Sequence, residues 1–123
     1  MAARKLSLAD IRAVAKRLSD LEEGTSYGTP AWRHRRRFLA RLHQDGESIV
    51  LNVGADARDH LMQADPETFF ITAHYRGGTM VLARLDRLSR ADLKKLLVRA
   101  LDRKGQWRRR VTPATDWNMT PRA

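Results

Sequence analysis

The chain predicts an α+β domain: a single, mainly antiparallel sheet of about five strands with helices packed on one face. Three observations carry this. Ser-x-x-Asp capping patterns at Ser7 and Ser89 each open a stretch whose apolar residues recur every three or four positions. Around Asp45-Gly46 the period drops to two, as a β-hairpin requires. A short helical stretch then separates that hairpin from two further β-rich segments, so the order is helix, three strands, helix, two strands, helix.

The first helix follows Ser7, whose oxygen can cap free amides while Asp10 sits in the positive first turn. Leu8, Ile11, Val14, Ala15, Leu18 and Leu21 form its apolar stripe, and Gly24 is expected to end it. From Ser26 an edge or irregular strand runs through Tyr27, Gly28 and Pro30 into Trp32 and Arg33. In Arg36 to His43, alternation puts Phe38, Ala40 and Leu42 on one face and Arg37, Leu39, Arg41 and His43 on the other. Asp45-Gly46 marks a tight turn, and Ile49, Leu51 and Val53 continue the apolar face on the returning strand. Asp56 to Ala64 reads as a short helix stopped by Asp65-Pro66, because proline disfavours helical geometry in the residue before it. Thr68 to Thr72 and, after Gly77-Gly78, Thr79 to Leu85 read as strands. Ser89 and Asp92 cap the last helix, with Leu93, Leu96, Leu97, Ala100 and Leu101 as its buried stripe. Residues 1–103 then make the domain, and residues 104–123 a basic, proline-containing tail. This layout leaves one sheet face open, with Arg37, Arg41 and His43 standing on it.

Composition narrows the function. Twenty-four lysines and arginines against fourteen acids give a net charge of +10, which favours nucleic acid, anionic membrane or acidic protein as neighbours. The longest apolar runs, such as Met80 to Ala83, are far below the ~20 residues of a membrane span, and no signal-like block follows Met1 to Lys5. A membrane partner and export are not expected. The absence of cysteine removes disulfides, thiolate metal sites, iron–sulfur clusters and thiol nucleophiles, and fits a reducing, cytoplasmic setting.

Catalytic motifs do not assemble. Gly24-Thr25-Ser26-Tyr27-Gly28 matches the G-x-S-x-G pattern, with Asp65 and His74 following in hydrolase order. That elbow, however, needs a strand running into a helix and a longer chain, whereas here a helix is expected to run into a strand. His34, His43, His60 and His74 lack ligand spacing, so neither metal nor cofactor is expected, and they read as ordinary hydrogen-bonding histidines. Asp20, Glu22 and Glu23 read as a solvated helix end.

What remains is cationic. Residues 33–43 hold Arg33, Arg35, Arg36, Arg37 and Arg41 and no acid. Residues 99–110 hold Arg99, Arg103, Lys104, Arg108, Arg109 and Arg110 against Asp102 alone. Arginine's planar fork donates paired hydrogen bonds to phosphate and stacks on bases, which suits nucleic acid, and Arg35 and Arg36 fall near a strand connection that could project as a wing. The same charges have plainer uses: Arg99, Arg103 and Lys104 complement the negative end of the last helix, and basic loops solubilise. Trp32, Tyr27, Phe69, Phe70 and Tyr75 are core or pocket candidates.

Several segments together resemble the MmcQ/YjbR family over roughly residues 5–103. They are Glu23-Gly24-Thr25-Ser26-Tyr27-Gly28-Thr29-Pro30-Ala31-Trp32, Arg37-Phe38-Leu39-Ala40-Arg41-Leu42, Ala64-Asp65-Pro66-Glu67 and His74-Tyr75-Arg76-Gly77-Gly78. The resemblance implies an α+β fold similar to bacterial frataxin (CyaY-like), also compared with the double-wing DNA-binding domain of a phage transcription factor. It implies DNA binding by fold comparison and transfers no catalytic residues. Arg37 before Phe38 matches a basic position usual in the family, Arg36 replaces a small residue expected there, and the tail after Arg103 is an addition. A frataxin-like iron role needs clustered acidic oxygens, which so basic a chain does not offer.

The expected function is therefore non-enzymatic binding of nucleic acid, with DNA favoured over RNA by resemblance alone. Phosphates would be gripped through Arg33, Arg35, Arg36, Arg37 and Arg41, with Lys104, Arg108, Arg109 and Arg110 as an auxiliary clamp. The alternative is a protein or small-anion binding module with an aromatic pocket near Tyr27, Trp32, His74 and Tyr75. An acidic protein partner fits the same charge.

Overall fold

The computed structural model describes residues 5–18 and 20–102. Helix α1 (Leu8–Lys16) starts at the predicted cap: the Asp10 amide donates to Ser7 Oγ at 3.1 Å, and Asp10 Oδ2 accepts from the Ser7 amide at 2.8 Å. The other oxygen of this buried carboxylate accepts from Arg90 Nε and Nη2 at 2.9 and 2.6 Å. One acidic group thus caps α1 and fastens it to the start of α3 (Arg90–Leu101), itself capped by Ser89 and Asp92. Helix α2 (Ala55–Ala64) follows Gly54 and stops one residue before the Asp65-Pro66 step.

Six strands form one antiparallel sheet: β1 (Leu21–Ser26), β2 (Thr29–His34), β3 (Arg37–Leu42), β4 (Ser48–Asn52), β5 (Phe69–Phe70) and β6 (Met80–Arg84), in the spatial order β1-β2-β3-β4-β6-β5. Helices α1 and α3 pack together, α3 lies on β3 and β4, and α2 sits beside β5 and β6. The core between helices and sheet includes Ile11, Trp32, Leu39, Leu51, Leu93 and Leu96. The α+β class and the antiparallel sheet are as predicted, with one strand more than the expected five or so.

That extra strand replaces the expected end of the first helix. Helical spacing carries the apolar stripe through Leu18 to Leu21, but α1 ends at Lys16 and Asp20 takes a left-handed φ of 63°. Leu21–Ser26 then pairs along the whole of β2, with Leu21 opposite His34 and Ser26 opposite Thr29. Leu18 and Leu21 still pack on the core, from a turn and a strand. A bidentate contact from Arg12 to Glu23, at 2.8–3.1 Å, fastens α1 to this edge strand. The acidic cluster read as a helix end is therefore a turn and a strand.

A bulge changes the parity of β3. Trp32 pairs with Ala40 but Arg33 pairs with Phe38, leaving Leu39 as an extra residue. Leu39 and Ala40 both enter the core, and Asn52 Nδ2 holds the Phe38 carbonyl at 3.0 Å beside them. Arg41 keeps the expected orientation away from the helices. Arg37 does not: beyond the bulge it turns toward α3.

The sheet face away from the helices, expected from the sequence to be open, is not bare. Ala31, Arg41, Val50, Leu82 and Phe70 are successive cross-strand neighbours on it, and the first four are buried. The β5–β6 connection closes over this row. Arg58 of α2 donates to the carbonyl of Gly78, Tyr75 meets Arg41, and Arg84 lies 4.2 Å over the Phe70 ring.

Candidate functional site

Between β2 and β3 the chain reverses through Arg35 and Arg36, both exposed and both left-handed, with φ of 50° and 73°. A two-residue hairpin turn needs positive φ at both central positions because only that twist matches the flanking strands, and glycine or asparagine normally supplies it. Two arginines there hold their guanidinium groups out from a narrow tip. Among the described residues neither is ion-paired, whereas Arg12, Arg58, Arg87 and Arg90 each have a carboxylate partner.

The flanking arginines diverge. Arg33 is half-buried over the Phe38 ring at 6.0 Å, on the face away from the helices. Arg37, expected on that face, instead donates Nη2 to the carbonyls of Ala100 and Leu101 at 3.1 and 3.0 Å, because the Leu39 bulge rotates it to the helix side. The single strip of Arg35, Arg36, Arg37 and Arg41 does not form. The contact does tie the first basic block to Ala100 and Leu101, in the last turn of α3. Lys104, Arg108, Arg109 and Arg110 lie outside the described residues.

Arg41 forms a second, separate centre. It is 3% exposed, and its four hydrogen bonds all go to uncharged oxygens: Tyr75 Oη at 2.7 Å, Thr29 Oγ1 at 3.1 Å, and Gln44 Oε1 and the Leu42 carbonyl at 3.3 Å each. The Tyr27 ring lies 5.0 Å from the guanidinium and is itself 70% exposed. His74 meets Tyr27 and Tyr75 edge-on, at centroid distances of 6.3 and 4.8 Å. Three members of the expected aromatic pocket thus come together. Trp32 does not join them: it is 2% exposed on the opposite face, in the core against Ala40, because its strand parity opposes that of Arg41's partner Ala31.

Sequence reasoning missed Thr29 and Gln44 as partners of Arg41. Thr29 could be found from the alternation of β2, which puts it on Ala31's face; Gln44 depends on the path of the next turn. In that turn Asp45 Oδ1 accepts from the amides of Glu47 and Ser48 at 2.7 and 3.1 Å, and Oδ2 lies 3.1 Å from His43 Nδ1. Burial raises the carboxyl's pKa, but the Glu47 amide, His43 and the Ser48 amide outweigh it and hold the group below its ordinary value.

The G-x-S-x-G match is the end of β1 and a hairpin turn: Ser26 closes the strand, and Tyr27-Gly28 turn into β2 with φ of 53° and 81°. No group of three or more potential metal ligands gathers among the described residues. No helix among them is long and apolar enough to cross a membrane.

A family model described as YjbR matches residues 16–102. The crystal structure of Deinococcus radiodurans protein DR2400, which carries the DUF419 domain, is similar with a TM-score of 0.67 and 19% identity, over 99% of this chain and 94% of that one. No curated protein matches the chain.

Proposed function

The chain belongs to the YjbR family, and from that premise we propose that it is a non-enzymatic nucleic-acid-binding domain that engages duplex DNA through the β2–β3 hairpin tip. One observation carries the reading: Arg35 and Arg36 are adjacent, exposed and without carboxylate partners among the described residues, at two positions whose backbone favours other residue types. Strained positions filled by chemically capable side chains point to use rather than to folding. A two-stranded ribbon fits the major groove of B-form DNA, whereas the deep, narrow groove of A-form RNA excludes it, which favours DNA. The second basic block, with Lys104, Arg108, Arg109 and Arg110, follows in sequence on the helix end that Arg37 holds beside this hairpin and adds to the chain's net positive charge. Contacts of this kind position a protein on phosphates without reading bases, so binding is expected to be steep in salt and weakly selective.

Fluorescence anisotropy of a labelled mixed-sequence duplex at about 50 and about 200 mM salt tests this. The expected result is strong binding at the lower salt, and a log–log salt slope that is shallower in Arg35→Ser/Arg36→Ser by about 0.9 for each phosphate the variant no longer neutralises. No binding at low salt, or an unaltered slope in the double variant, overturns the proposal.

A further inference from the structure

We propose that Tyr27, Arg41, His74 and Tyr75 form a site for a single nucleotide, its base stacked on Tyr27 and its phosphate drawn to Arg41. This goes beyond duplex binding and does not depend on it. The Tyr27-Gly28 turn and the Arg35-Arg36 turn lie at opposite ends of β2, six residues or roughly 20 Å apart.

Arg41 supplies the first argument. Burial of a guanidinium normally brings a carboxylate with it, yet among the described residues every partner of Arg41 is neutral. Two of its four hydrogen bonds are long, and one of these is to Gln44, an exposed side chain whose Nε2 reaches only 3.5 Å from the Tyr27 carbonyl. A phosphate oxygen replacing Gln44 Oε1 exchanges a long contact to an uncharged oxygen for an ion pair.

Tyr27 supplies the second. It is the most exposed large hydrophobic residue among those described, and it occupies a left-handed turn position where asparagine or glycine fits better. With the buried guanidinium beneath its ring, it presents an aromatic surface to solvent, edged by His74. A bare inorganic anion uses none of that surface, and an uncharged ring uses none of the positive charge. A planar base carrying phosphate uses both. It can come from a free nucleotide or from an unpaired nucleotide of a single strand.

Amide-resolved NMR titration of the full chain with adenosine monophosphate, inorganic phosphate and a short single-stranded oligonucleotide tests the site and separates the two sources. With the mononucleotide, shifts confined to residues around Tyr27, Gln44 and His74–Arg76 are expected, and with the oligonucleotide these residues are expected to shift as well. Tyr27→Asn, which suits the turn and so keeps the fold, is expected to weaken binding about tenfold. Arg35→Ser/Arg36→Ser is expected to leave mononucleotide affinity within about twofold, whatever happens to duplex binding. Response to the mononucleotide identifies a free ligand, and response to the oligonucleotide alone identifies a strand; either supports the site. The proposal is overturned if phosphate alone reproduces the shifts, if Tyr27→Asn leaves them unchanged, or if neither nucleotide source produces them.

Discussion

Arg37 of β3 donates its Nη2 to the carbonyl oxygen of Leu101 at 3.0 Å, and to that of Ala100 at 3.1 Å, so the central hairpin holds the last turn of α3. Terminal helix carbonyls have no partner in their own helix and carry the negative end of its dipole, so a guanidinium there satisfies hydrogen bonds and charge together. A residue type that suggests phosphate binding is used here as a helix cap.

Arg37→Gln is therefore expected to lower stability by about 1–2 kcal/mol in urea denaturation. It should reduce the salt slope of duplex binding far less than Arg35→Ser/Arg36→Ser. Unchanged stability together with a large drop in slope would return Arg37 to the binding surface.

Arg36→Gly separates folding from use. With φ at 73°, arginine is disfavoured and glycine is not, so the variant is expected to gain about 1 kcal/mol in thermal or chemical denaturation. Duplex affinity at low salt should fall in the same protein. Opposite movements of stability and affinity are what a functionally retained strain produces; parallel losses would mean that the arginine side chain supports the turn.

Much of this arrangement was legible in the chain. The two serine caps, the Asp45-Gly46 turn and the stop before Pro66 are local signals, written in a few adjacent residues, and all three stand. The path through Leu18 and Leu21 was not legible, because the same spacing serves a helix stripe and a turn followed by a strand; pairing with β2 decides between them. The bulge at Leu39 leaves no trace in composition, yet it alone determines that Arg37 faces the helices and Phe38 does not. The candidate sites divided the same way. The hairpin tip follows from local turn chemistry, whereas the burial of Arg41 beneath Tyr27 and Tyr75 depends on contacts across 14 and 34 residues that no single segment reveals.

Asp45 gives a pH dependence with a definite sign. Its carboxyl is held below the ordinary value of 3.8 in the folded chain, so it contributes stability above that value and loses it as pH falls through the lower folded one. Asp45→Asn keeps the side-chain oxygen that accepts from the Glu47 and Ser48 amides and removes only the charge. The variant is expected to melt below the parent at neutral pH, with the gap closing as the solution is acidified past that range. A gap independent of pH would mean that the carboxylate charge does not stabilise the turn.

Tyr75→Phe removes the shortest hydrogen bond of Arg41, made at 2.7 Å to a side chain of the β5–β6 connection. A buried guanidinium N–H left without its acceptor is expected to cost about 1–2 kcal/mol. Arg41→Met removes the charge, and with it the need for any acceptor, while keeping an apolar chain over Val50. Tyr75→Phe should then cost little in the methionine background, so that the two changes are coupled by most of the single-variant effect. The methionine variant alone is expected to remain within about 1 kcal/mol of the parent, since a well-packed apolar replacement commonly matches a buried charge. In that event the fold does not need the positive charge of Arg41, as the nucleotide site requires. A loss of several kcal/mol in Arg41→Met would instead make the arginine a structural strut and withdraw the strongest support for the nucleotide site.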